Sequence, residues 1–215
     1  MRKLWVLFLS VLMMLTFTAC GASEAGSTAQ KPGGAKPATE QGKAEKPEAA
    51  PAKTSKTLVA YFSCTGNTKA LAETTAKAIG ADLYEIVPEK PYTAEDLNYN
   101  DEGTRATVEQ KNDSARPALK DKNANIGAYD KIVLAYPIWW GQAPRILDTF
   151  VESYDFSGKT IVPICTSGGS DIGASADYLK SITRGSADWK AGKHFGSHAS
   201  AQEIASWMEG LGIGK

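Results

Sequence analysis

Three short stretches hold the residues whose types and spacing suit chemistry. In Ser63-Cys64-Thr65-Gly66-Asn67-Thr68, three hydroxyls and an amide surround one glycine just before a segment whose charges Lys69, Glu73 and Lys77 fall on one helical face. A polar turn feeding a helix start offers unpaired N–H groups and the positive end of the helix dipole. The hydroxyls donate as well, so a phosphate would sit there without a lysine. The alternative is an ordinary turn in which Ser63, Thr65 and Thr68 cap the helix. The glycine pattern is neither G-x-x-x-x-G-K-[ST] nor G-x-G-x-x-G, which argues against nucleoside triphosphates and dinucleotides. The second stretch, Pro137-Ile138-Trp139-Trp140-Gly141, places two adjacent indoles in a loop, where little interior is available for both; they read as a flat wall for a flat ring. The competing reading packs one indole under the next helix and leaves the other as cover. The third, Thr166-Ser167-Gly168-Gly169, lets backbone approach a ligand closely, with Asp171 as a possible N-cap.

The elements around these stretches alternate strand and helix. Residues 57–62, 130–136 and 160–165 are continuous apolar runs, the signature of strands buried on both faces. Residues 81–87 alternate and read as a strand nearer an edge, while 187–195 hold a short fifth strand. Helices are expected from Lys69 with Gly80 just past the end, from Arg145 to Tyr154 (core through Ile146, Leu147, Phe150, Val151 and Tyr154), from Ile172 to Ile182, and after a Ser200–Glu203 capping box. Such alternation predicts a doubly wound α/β sheet. Residues 88–127 break the pattern, with a short helix over Arg105–Lys111. His194 and His198 read as solvated or structural.

Ser63-x-Thr65-Gly66-Asn67-Thr68 resembles the first loop of flavodoxins, with which that family wraps the phosphate of FMN. The Tyr136-Pro137-x-Trp139-x-Gly141 loop is similar to one lying against the flavin in a bacterial flavodoxin-like branch. Thr166–Gly169 matches the loop that holds the flavin's other edge. The run from Pro91-Tyr92 through Asp96-Leu97, Arg105 and Glu109 to Arg116-Pro117 resembles the same branch, which implies an ordered cover over the sheet.

The resemblance implies a five-stranded parallel sheet of order 2-1-3-4-5 with an insertion after strand 2, in a domain over 56–213. It implies FMN as cofactor, bound by Ser63, Thr65, Gly66, Asn67, Thr68, Pro137, Ile138, Trp139, Trp140, Gly141, Thr166, Ser167, Gly168 and Gly169. The function implied is electron transfer with a redox partner protein or a small-molecule acceptor. Rival readings are an FMN-dependent NAD(P)H or quinone reductase, with 88–127 as a lid, and a non-redox phosphate-ligand or partner-binding module. No catalytic side chain and no metal site are read from the sequence.

The N-terminus adds an address. Arg2 and Lys3 precede an apolar run over Leu4–Phe17 that is shorter than a membrane span, and Thr18-Ala19 leads into Cys20. Residues 1–19 thus read as a signal peptide. The exit resembles a bacterial lipobox, with Phe17 where leucine is usual, so Cys20 is expected to be lipidated and to anchor the protein outside the cytoplasmic membrane; simple secretion is the alternative. Residues 20–55, almost without large apolar side chains, read as a disordered tether of about 30–35 Å. The remaining chain carries 17 basic against 20 acidic residues, which gives no footprint for nucleic acid. Cys64 and Cys165 are expected to be small buried hydrophobes, with a disulfide between them as the alternative.

Overall fold

The computed structural model describes residues 55–196 and 198–214. The expected signal peptide, Cys20 and all but the end of the tether lie outside the described residues. The elements are β1 (Thr57–Tyr61), α1 (Asn67–Ile79), β2 (Asp82–Glu85), α2 (Arg105–Lys111), β3 (Lys131–Pro137), α3 (Arg145–Ser153), β4 (Thr160–Thr166), α4 (Ser175–Ile182), β5 (Asp188–Trp189), β6 (Lys193–His194) and α5 (Ala201–Gly210). The strands form one parallel sheet of order β2-β1-β3-β4-β5, with β6 also on β4.

Because successive side chains point to opposite faces, each central strand feeds two cores. Leu58, Ala60, Phe62, Ile132, Leu134, Tyr136, Ile161 and Cys165 pack with α3 and the insertion. Val59, Tyr61, Val133, Ala135, Val162 and Ile164 pack with α1 and α5. Strand β2, read as alternating, is an edge, and of its four residues only Tyr84 is partly buried. The Ser200 hydroxyl accepts from Glu203 N at 3.1 Å and starts α5, as the capping box predicts.

Two boundaries differ from expectation. The single fifth strand over 187–195 is two short pieces. Lys190 N and Phe195 N donate to the Ile161 and Cys165 carbonyls, and Pro163, which by alternation faces the same side, has no N–H to continue the ladder. Helix α4 starts at Ser175 rather than Ile172, with Ala174 as N-cap. Asp171 therefore caps no helix and accepts only from Ile172 N, at 2.7 Å.

The insertion between β2 and β3 is an ordered cover. Its ends pair through Glu89 N to Ala118 O and Lys120 N to Val87 O, each at 2.8 Å. Ala106, Ala124 and Ile126 enter the core, with Tyr92, Leu97 and Leu119 packed against it. Arg145, at the start of α3, fastens it: its guanidinium donates to Gln110 O at 3.0 Å and to the Asp113 carboxylate.

Candidate functional site

Helix α1, which follows β1, packs on one face of the sheet, and α3, which follows β3, packs on the other. Neighbouring strands whose connections leave in opposite directions open a crevice at their carboxyl ends. A cleft of about 520 Å³ lies there, within the usual size of cofactor pockets. Ser63, Cys64, Thr65, Asn67 and Thr68 line it from the β1 loop, Pro137, Ile138 and Trp139 from the β3 loop, and Thr166, Ser167 and Gly168 from β4. The insertion adds Leu97 and Tyr99.

The β1 loop is built to donate. Gly66, at φ +90°, is the N-cap of α1 and no side chain caps the helix. Ser63 Oγ accepts from Gly66 N at 3.1 Å, and Thr65 Oγ1 accepts from the Asn67 amide at 3.2 Å. With their oxygens engaged within the turn, both hydroxyl protons are left to point elsewhere. The Thr68 and Thr166 hydroxyls bond across 2.8 Å in a buried position and tie the first loop to the third. Thr68→Val keeps the shape but leaves Thr166 without its partner; the expected result in urea denaturation is a loss of about 1–3 kcal/mol.

Among the described residues, no charged side chain lines the cleft. The Cys64 thiol, exposed but set in the cleft's edge, is pushed up to about 12 chiefly by desolvation, against the pull of Arg105, and the raised value favours the thiol form. The expectation that both cysteines are buried fails at Cys64, which lies past the end of β1 in the polar turn before α1 and is exposed. Cys165 is buried, and both are free.

The two tryptophans part company at a tight turn. Trp139 and Gln142 exchange backbone hydrogen bonds at 2.9 and 3.0 Å, and the residues between them, Trp140 at φ +47° and Gly141 at φ +76°, are both left-handed, as in a type I′ turn. Trp139 is 4 % exposed. Its ring meets Phe62 edge-on at 5.7 Å and Tyr92 at 5.3 Å, and behind them Tyr92 donates to Glu109 while the Arg105 guanidinium sits 4.0 Å over the Tyr92 ring. Trp139 is thus at once core and cleft wall, which neither sequence reading allowed alone. Trp140 lies at the turn's tip, exposed, in a backbone conformation that costs a bulky residue about 1–3 kcal/mol.

Of the residues expected at the site, Gly66, Trp140, Gly141 and Gly169 are not among those lining the cleft; the other ten are. Gly169 N donates to Ser167 Oγ at 3.1 Å, which shapes the loop from behind. Cys64, Leu97 and Tyr99 were not read as site residues. The signal for the last two was two apolar residues set alone in a polar, acidic stretch.

A family profile described as flavodoxin matches residues 56–211, most of the chain. The chain belongs to the flavodoxin family. Similar solved structures include a candidate flavoprotein from Bacteroides eggerthii DSM 20697, 45% identical at a TM-score of 0.69, covering 74% of this chain and 98% of that one. A second, from Bacteroides uniformis ATCC 8492, is 41% identical at 0.67, covering 72% and 98%. A flavoprotein from Lactobacillus acidophilus NCFM, solved in complex with FMN, shares the fold at 22% identity and a TM-score of 0.55, covering 71% and 98%. No curated protein matches the chain significantly. In this flavodoxin-family chain the neutral hydroxyl cradle at the start of α1 suits a phosphate ester, and the adjoining aromatic wall suits a planar ring.

Proposed function

We propose that the chain binds FMN in this cleft and works as an electron carrier at the outer face of the cytoplasmic membrane, held by a lipid on Cys20 and serving a redox partner protein or a small-molecule acceptor. The observation that carries the reading is the meeting of three loops, a hydroxyl-lined cradle and Trp139 in one cleft, at the switch point between β1 and β3. The solved complex of the Lactobacillus acidophilus relative with FMN supports it.

The hydroxyls of Ser63, Thr65 and Thr68 and the N-terminal amides of α1 hold the phosphate, and Trp139 walls the ring. The bound flavin supplies the electron chemistry. An uncharged cleft in a domain with an acidic excess makes added negative charge costly, which lowers the potential at which the site accepts electrons.

Titration of the apoprotein with FMN tests the reading: a yellow, saturable complex is expected. Since neutral donors hold the phosphate, its affinity should change by less than about threefold between low and moderate salt. A protein that stays colourless and takes up no FMN overturns the proposal.

A further inference from the structure

Two aromatic rings stand at the mouth of the cleft rather than inside it. Tyr99 is 54% exposed and Trp140 45%. Their ring centroids are 4.7 Å apart at an interplanar angle of 52°, so the pair opens as a V and each ring keeps a face to solvent. Tyr99 also lines the cleft, which places the V on its rim. The turn closed between Trp139 and Gln142 puts Trp140 outside although hydrophobicity would bury it, and does so at a φ of +47° that tryptophan seldom adopts. The ring is held out against both tendencies.

The segment that carries Tyr99, residues 93–104, is acidic. The segment around Tyr99 carries Glu95, Asp96, Asp101 and Glu102 and no lysine or arginine. Glu102 is paired with Lys111 at 2.9 Å. Asp96 and Asp101 accept from nearby backbone, Thr93 N at 2.9 Å and Gly103 N at 2.8 Å, and among the described residues neither forms a salt bridge, although Arg105 lies within Coulombic reach of Asp96. Exposed aromatic faces on an acidic segment favour a flat, positively charged ring: the faces stack it, the ring quadrupoles attract the cation, and the carboxylates reject anions.

We propose that the Tyr99–Trp140 pair is a docking platform for a small planar aromatic cation that exchanges electrons with the cofactor in the cleft behind it. The electron exchange rests on the FMN reading; the docking does not. With a phenothiazinium dye as acceptor, reduced FMN gives up two electrons and two protons. The dye takes both electrons and one proton to become its neutral leuco form, and the second proton passes to water. The neutral product loses the electrostatic hold that brought the cation in, so reduction also releases it.

The test uses the full chain without cofactor. Methylene blue, a planar cation, and indigo disulfonate, a planar anion, are titrated by dye absorbance and anisotropy. The cation should bind at least about tenfold more tightly at low salt, with the difference shrinking as salt rises. Trp140→Gly, which suits the positive φ, should weaken methylene blue by about tenfold, and protein already saturated with FMN should still take up the dye. Equal binding of the two dyes, or displacement of methylene blue by FMN, overturns the platform. A protein that binds methylene blue but not FMN defeats the proposed function and leaves the platform standing; one that binds FMN but not the dye does the reverse.

Discussion

Trp139→Ala should be among the most damaging single changes in the domain. The indole is nearly fully buried between Phe62 and Tyr92, and removing it leaves a void under the insertion that the parallel sheet below cannot collapse to fill. The expected loss in urea denaturation is about 3–5 kcal/mol. The same change removes the wall of the cleft, and losing the stack together with the packing that holds it should weaken FMN by at least about tenfold. Trp139→Phe separates the two effects: it keeps a ring in the cavity and should recover more than half of the stability while restoring only part of the affinity. An alanine variant that binds FMN as the parent does would remove Trp139 from the site.

Arg145→Met should cost as much by another route. Arg145 is 4% exposed and Asp148 is fully buried. The guanidinium donates to Asp148 Oδ2 at 3.2 Å and to Tyr178 Oη at 3.0 Å, and Tyr178 in turn donates to Asp148 at 3.1 Å. Methionine fills the space but strands the carboxylate, with Arg116 3.5 Å away as its remaining cation. Breaking a buried pair in this way costs about 3–5 kcal/mol. The damage should spread to the insertion, because Arg145 also holds Gln110 O and Gln110 reaches back to Ala143 O at 3.1 Å; hydrogen exchange across α2 should quicken well before the sheet opens.

The pH dependence distinguishes this account from simple loss of packing. Burial raises the Asp148 carboxyl above the usual aspartate range, against the pull of Arg145, Tyr178 and Arg116. A raised value in the folded state means that the contribution favouring the fold is full below the unfolded aspartate value and is lost as pH rises through the folded one. Without Arg145 the raise is larger, so the deficit of the variant should be greatest near neutrality and shrink on acidification. Replacing both residues, Arg145→Met with Asp148→Leu, should recover most of the loss and flatten the pH profile. A deficit independent of pH would show that the charge pair is not its source.

The sheet was legible because its strands are defined by burial alone: an uninterrupted apolar run such as 132–136 fits few places other than the centre of a parallel sheet. Helix α2 was legible for a local reason, its own propensity within a polar stretch. What escaped depends on contacts far apart in the chain. The alternation of residues 187–195 gives no hint that Pro163, across the sheet, denies them a partner. The two tryptophans look alike in sequence, and only the turn closed between Trp139 and Gln142 sends one inward and the other out. Arg145 and Asp148 sit on a helix whose apolar spacing is plain, but spacing does not reveal that two charges lie beneath a cover supplied by residues 110–113. Within the cleft, the loops that end strands were readable, since topology gathers them on one rim; Tyr99 arrives from the insertion, which topology does not place.

The interruption at Pro163 bears on what copies of this protein do to one another at high local concentration. Exposed sheet margins recruit strands from neighbouring molecules when they present a long, even row of free amides and carbonyls. Here one margin is two two-residue pieces with a gap between them, and the other is the four-residue β2, which carries Asp82 and Glu85. Crowded copies would find nowhere to zip together, and the sheet ends where the molecule does.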